Sequence, residues 1–399
     1  MHDRRILFIT AFVRATTTSF VGVTIGVYLA HLGLGGAALG TIVSAGLLGA
    51  TVAALLATLF ADRVGRRRSL MGLALLSAAG TLVFTLSGDT TVLLAAAFVG
   101  MLNGMGRDRG AALSIEQAAL TGTTSAAGRT MAIAWYTMLQ DVGHATGALA
   151  ATLPSVIERV SLLRGIAPHR ALLIACALGA LFAAILYSRL GSTVEEGAGT
   201  RTLKLSAHGR AVLVKISALF ALDSLGGGFL TTALLSYFFF ERFGAPESLI
   251  ALLFFGARAM NAVSHLGAAW LARRIGLVNT MVFTHMPSSV LLATVAIAPN
   301  FTIAAVLFLL REGLVEMDVP TRQSYVLAVV APEERTFASG VTNLVRLGAW
   351  AIAPAFAGAM MVKGSIYLPL LIGAGMKIAY DVLLWVAFRR IRPPEETNG

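Results

Sequence analysis

The sequence predicts an all-α membrane protein with twelve transmembrane helices in two pseudo-symmetric six-helix bundles, and three observations predict it. Hydrophobic residues fill 57% of 399 positions and charged residues 13%, where soluble domains carry about 25% charge. Apolar runs of about 20 residues, the length that crosses a bilayer, recur along the whole chain. The second half also repeats features of the first.

The runs lie near 6–31, 35–60, 69–87, 91–117, 130–153 and 169–190, then 212–238, 248–271, 279–297, 301–325, 336–361 and 366–388. Before the first run, Met1-His2-Asp3-Arg4-Arg5 is like the start of a signal peptide. The run continues to about Leu32 without a small-residue cleavage site, so it reads as a retained span. Between the sixth and seventh runs, Gly191 to Gly209 is rich in Ser, Thr, Glu, Gly, Arg and Lys. The expected division is therefore an N-terminal bundle at 1–190, a cytoplasmic linker at 191–211 and a C-terminal bundle at 212–399.

Loop charge gives the orientation. Arg63, Arg66, Arg67 and Arg68 follow span two, Arg201, Lys204 and Arg210 follow span six, and Arg273 and Arg274 follow span eight. Arg4 and Arg5 at one end and Arg389, Arg390 and Arg392 at the other fall on the same side. Both termini are thus expected in the cytoplasm of a multi-pass protein of the plasma (inner) membrane. Arg159, Arg164 and Arg170 after span five break the pattern and are outvoted. The net charge of +11 is spread over these short loops. With no aromatic-interleaved basic patch, it does not predict a nucleic-acid partner. Cys176, the one cysteine, sits inside an apolar run and reads as a small buried hydrophobe.

The duplication shows in corresponding loops. Ala61-Asp62-Arg63-Val64-Gly65 matches Ala272-Arg273-Arg274-Ile275-Gly276, and Gln117 precedes Arg129 by the same interval as Gln323 precedes Arg335. Repeats of this kind pack around a pseudo-twofold axis with a substrate site near the midplane.

With six plus six spans, a linker and the loop Asp62-Arg63-Val64-Gly65-Arg66-Arg67-Arg68, the chain resembles the major facilitator superfamily over nearly its whole length. The loop is similar to the family signature Gly-x-x-x-Asp-Arg-x-Gly-Arg-Arg, with Thr58 in place of the leading glycine. The resemblance implies that Asp62, Arg63, Gly65, Arg66 and Arg67 form a conformational latch. It also implies that spans one, four, seven and ten line the cavity. Gly143-His144-Ala145-Thr146-Gly147-Ala148 in span five is similar to the family's antiporter motif, with His for Pro and Ala for the last Gly. Small residues there have a second reading, close helix packing. The likeness names no substrate.

Nine ionisable residues stand inside the runs: Arg107, Asp108, Arg109, Asp223, Arg258, Arg311, Glu312, Glu316 and Asp318. Each would cost roughly 2.5–3.5 kcal/mol facing lipid at a helix centre, so they must face one another or water. Asp223, Glu312 and Glu316 are the candidate proton carriers. Arg109, Arg258 and Arg311 are the candidate ligands of an anionic group, with Asn261 and His265 at three- and four-residue steps from Arg258. Burial favours the neutral acid and a nearby arginine favours the carboxylate, so a substrate that competes for the arginine would trap or release a proton. The competing reading is that these charges are permanent ion pairs.

Other positions carry weaker expectations. Arg14 in span one is read as snorkelling to the cytoplasmic surface. Asp141 and His144, one turn apart, read equally as a pair or a proton relay, and Lys377 with Asp381 reads as a local pair. Arg346, beside Asn343, lines the cavity or meets Asp62. Met281 and His285 have copper-like donors, but thirteen methionines make such proximity common, and no metal or other cofactor is expected. No Gly-x-x-x-x-Gly-Lys-Ser/Thr loop is present, so ATP drive is not expected, nor is an enzyme activity. The reading is a monomeric secondary active transporter of a small polar or anionic organic solute, proton-coupled, with export favoured over import. The alternatives are a lipid or amphiphile flippase and, from another class, a non-transporting receptor or scaffold.

Overall fold

The computed structural model describes residues 2–124, 128–195, 207–317, 335–362 and 365–388. Their regular structure is helical, with no strand among the described residues. The first half holds α1 (His2–His31), α2 (Gly36–Val64), α3 (Arg66–Leu86), α4 (Thr90–Gly100), α5 (Ala111–Gly122), α6 (Arg129–Ala150), α7 (Leu153–Val160) and α8 (Ala167–Tyr187). A short 3-10 turn, Ser192–Glu195, then leads toward the linker. The second half holds α9 (Ala207–Gly228), α10 (Thr232–Phe243), α11 (Glu247–Ile275), α12 (Leu277–Ala296), α13 (Phe301–Val315), α14 (Arg335–Met360) and α15 (Leu368–Phe388). Each predicted run contains helix. Six helical stretches among the described residues are long and apolar enough to cross a membrane. Leu86, Leu178, Ile185 and Val386 are among the exposed apolar side chains, the surface that lipid rather than water would cover.

Two compact units organise the chain. One comprises Met1–Thr200, Thr231–Phe255 and Pro354–Val362; the other comprises Arg201–Leu230, Gly256–Ala353 and Lys363–Gly399. Small residues explain how pieces of the later sequence join the first unit. A Cβ on Gly26 would lie 2.3 Å from the Ala233 carbonyl oxygen, and one on Gly40 would lie 2.2 Å from that of Pro354. Backbones this close require glycine.

Two predicted spans are broken. Span four, expected as one helix over 91–117, stops at Gly100 and resumes at Ala111. Met101 is left-handed at φ 53° and Gly106 has φ 66°. Asn103 drives the turn: its side chain accepts from Met105 N at 2.9 Å and donates to the Arg107 carbonyl at 2.7 Å, competing with helical hydrogen bonds. Backbone freed inside a membrane needs partners. Thr232 Oγ1 donates to the Met105 carbonyl at 2.8 Å and Ala233 N to that of Gly104 at 3.0 Å. Span seven breaks after Gly226-Gly227-Gly228, and the Thr231 hydroxyl caps α10 by accepting from Leu234 N at 3.3 Å.

Candidate functional site

Each unit buries a charged cluster. In the first, Arg14 of α1 is held by two carboxylates from the broken fourth span. Its Nε donates to Asp108 Oδ2 at 2.6 Å and its Nη2 to Glu116 Oε2 at 2.8 Å. Glu116 is fully buried. It also accepts from Thr10 Oγ1 at 2.6 Å, Tyr136 OH at 2.6 Å and Tyr187 OH. Four donors on two oxygens are what an ionised, acceptor-only carboxylate accommodates. Asp108 further accepts from Gln140 Nε2 at 3.1 Å, and its backbone N–H donates to His144 Nε2 at 2.9 Å. The two tyrosines belong to an apolar cluster with Ile6, Leu7, Leu70, Ile115 and Leu190. Arg14, Asn103, Asp108 and Tyr187 border a pocket of about 110 Å³, below the roughly 300–1,000 Å³ of drug-sized ligand sites.

This cluster corrects two expectations. Arg14 does not snorkel; it is the centre of a buried network. Arg107 and Arg109 lie in the non-helical stretch before α5, not within one continuous span-four helix. The glycines of the span-five motif serve packing, since Cβ atoms on Gly143 and Gly147 would lie 2.7 and 2.1 Å from the Phe12 and Thr16 carbonyl oxygens.

In the second unit, Asp223 of α9 meets Lys377 of α15, whose Nζ donates to Oδ1 at 2.9 Å. Arg346 of α14 stands 3.9 Å from the other oxygen and donates from Nε to Ser224 Oγ at 3.3 Å, with Trp350 under its guanidinium at 4.7 Å. His285 of α12 completes the group. Its Nδ1 lies 2.9 and 3.0 Å from the two Asp381 oxygens, and its Nε2 lies 3.3 Å from Lys377 Nζ and 3.8 Å from Asp223 Oδ1. Asp381, His285, Asp223 and Lys377 are all buried, between Phe220, Met281 and Tyr380 of an apolar cluster. An ionised Asp381 only accepts and a lysine ammonium only donates. The geometry therefore puts the proton of a neutral His285 on Nδ1 and leaves Nε2 as an acceptor. Lys377 and Asp381 do not form the simple local pair that their spacing suggests, because each turns to a different helix.

The remaining candidates are placed as follows. Arg311 pairs with the adjacent Glu312, whose Oε2 accepts from Asn261 Nδ2 at 2.8 Å. Arg311, Glu312 and Asn261 are buried, whereas Arg109, Arg258 and Glu316 are half-buried and engaged with neighbours. None of the eight described members of the nine-charge set is exposed. Asp318 lies outside the described residues, as does the side chain of His265. In the latch loop, Gly65 has φ 99°, which favours glycine. Arg66 Nε donates to Asp62 Oδ1 at 3.1 Å, while Arg63 and Arg67 are exposed. Sequence reasoning missed Glu195, whose carboxylate accepts from Arg66 N at 2.7 Å and Arg67 N at 3.0 Å and so caps α3. Its only trace in the sequence is an acidic pair opening a basic linker.

A third group shares no residue with either cluster. Glu247, the first residue of α11 and outside the apolar run 248–271, is flanked by His31 and His169. Burial alone would raise its carboxyl, but hydrogen bonds and charge from the two imidazoles win and hold it down at about 2.

Comparison with known proteins agrees with this architecture. A family profile described as Major Facilitator Superfamily matches residues 7–345. The uncharacterized membrane protein YJR124C of Saccharomyces cerevisiae is 24% identical over 97% of this chain and 94% of its own length. Among solved structures, the nucleoside transporter NupG superposes with a TM-score of 0.76 at 15% identity, covering 98% of this chain and 100% of that one. The xylose transporter XylE from E. coli gives 0.72 at 15%, covering 99% and 98%. A bacterial homolog of the human lysosomal transporter Spinster gives 0.72 at 16%, covering 96% and 94%. At these identities the structures show a shared fold.

Proposed function

The chain belongs to the major facilitator superfamily of secondary transporters, and from that premise we propose that it moves a small polar or anionic organic solute by alternating access with protons as the coupling ion. The observation that carries the proposal is Lys377, placed between Asp223 and His285. With His285 neutral, the charges of Asp223, Asp381, Lys377 and Arg346 cancel. A proton arriving at His285 Nε2 removes the acceptor that Lys377 uses there, so the ammonium must move wholly to Asp223. A proton arriving at Asp223 instead frees Lys377 and Arg346 together. Either way one proton rearranges a buried ion pair that joins α9, α12 and α15, and a conformational equilibrium can be coupled to it.

Solute binding is proposed to act on the same principle. Arg109, Arg258, Arg311, Asn261 and His265 are the proposed ligands. The three arginines already have partners within the protein. An anionic solute must therefore exchange for an internal partner, and a carboxylate so released becomes a better proton acceptor.

The test is uptake into proteoliposomes under an imposed pH gradient with a panel of labelled solutes. Asp223→Asn should abolish gradient-driven accumulation while sparing solute exchange. Full accumulation by Asp223→Asn and by His285→Gln would remove this cluster from the coupling mechanism.

A further inference from the structure

The His31, His169 and Glu247 group uses none of the proposed transport chemistry. Its members close α1, open α8 and open α11, 216 and 78 residues from Glu247 in sequence, so no local motif could have shown it. His31 Nε2 lies 2.6 Å from Glu247 Oε1, and His169 Nε2 lies 2.8 Å from Oε2. The candidate ligand atoms of all three residues lie within 4.8 Å of one another. Aromatic neighbours fix both rings: His31 packs on His169 at 5.3 Å between centroids and on Phe240 at 5.7 Å, and Tyr28 lies 6.4 Å from His169. His169 is buried to 3% exposure and its Nδ1 has no hydrogen-bond partner. Its one polar engagement is therefore the Nε2 aimed at Glu247.

We propose that these three side chains bind a divalent transition-metal ion of the zinc type. Two imidazole nitrogens and one carboxylate are the donor set of three-ligand zinc sites that keep a fourth position open. They also exclude magnesium and calcium, which take oxygen. Bonds of about 2.0–2.1 Å set tetrahedral ligands roughly 3.3 Å apart. The two histidine–carboxylate contacts widen by about 0.5–0.7 Å to reach that spacing, and all three ligand atoms already lie within 4.8 Å of one another. The His31 side chain is 35% exposed, which provides the entry route and the fourth, water-filled position. The ion takes the place of whatever proton each Nε2 shares with the carboxylate, and those protons leave to water. Once bound, it ties α11 of the second sequence half to α1 and α8 of the first.

The experiment uses the full chain purified in detergent and stripped with a chelator. Zinc chloride is titrated calorimetrically, metal is counted by mass spectrometry after gel filtration, and magnesium chloride is the control. One zinc per chain is expected, with a rise in Tm and no response to magnesium. His31→Ala, which trims a side chain that is 35% exposed, and Glu247→Gln should each weaken zinc binding at least tenfold. Absence of saturable zinc binding overturns the proposal, and so does stoichiometric binding that both variants retain unchanged.

Discussion

Lys377 reaches from α15 to Asp223 of α9 at 2.9 Å, while Asp381, one turn further along α15, turns to His285 of α12 at 2.9 Å. One helix thereby supplies a cation to one neighbour and an anion to another. Removing one member of such a buried pair leaves an uncompensated charge, at about 3–5 kcal/mol. Lys377→Met should accordingly lower Tm strongly. The double variant Lys377→Met/Asp223→Asn should recover part of the loss, because the cluster's net charge returns to zero while Arg346 gives up its contact with Asp223. Thermal unfolding of the single and double variants checks this, and additive losses would refute it.

Arg14 predicts a parallel result with a different signature. It is the cation that faces both Asp108 and Glu116, so Arg14→Gln leaves two buried carboxylates close together without compensation. The loss should exceed that of Tyr136→Phe, which removes one of Glu116's four donors at about 1–3 kcal/mol. Thermal unfolding of the three proteins gives this order, and a Tyr136→Phe loss as large as that of Arg14→Gln would refute it.

The reading of buried charge was legible in the sequence because the bilayer penalty forces it. Asp108, Asp223, Arg311 and Glu312 indeed avoid the surface. Partner choice was not legible. The four-residue spacing of Lys377 and Asp381 suggests a local pair, yet cross-helix acceptors compete for each, and only packing decides between them. Arg14 was missed for a related reason. Snorkelling is available to any arginine near a helix end, but two carboxylates and two phenols within reach outweigh it. The break in span four was written in Asn103-Gly104-Met105-Gly106, turn chemistry that the surrounding apolar run obscures when only hydropathy is followed.

Glu195 caps α3 from outside that helix, so its loss should loosen the first turn of α3 and leave the rest intact. Caps of this kind contribute about 0.5–2 kcal/mol. Glu195→Ala should speed amide hydrogen exchange at Arg66 and Arg67, whose N–H groups it accepts from. Exchange in the middle of α3 should not change.

Close packing of α1 and α6 gives a steric prediction. A Cβ at Gly147 would stand 2.1 Å from the Thr16 carbonyl oxygen, which is backbone and cannot swing away. Gly147→Val should cost at least the roughly 1–3 kcal/mol of ordinary overpacking and yield little monodisperse protein. Gly72, helical and with nothing within 4 Å of its would-be Cβ, is the control. Gly72→Ala should be neutral or stabilising by about 0.5–1 kcal/mol.

Acid should act on the group of His31, His169 and Glu247 with a defined sign. The Glu247 carboxyl is held down from its ordinary 4.5 to about 2 in the folded protein, so the folded state keeps it ionised after the unfolded chain has taken up a proton. Its contribution to stability is then fully present above about pH 4.5 and is lost as pH falls toward about 2. Many carboxylates titrate in that window, so the difference between wild type and Glu247→Gln isolates this one. With a chelator present to remove metal, the Tm gap between the two proteins should be widest at pH 5 and should shrink steadily toward pH 2. A gap that stays constant across that range would mean that Glu247 is not held ionised by His31 and His169.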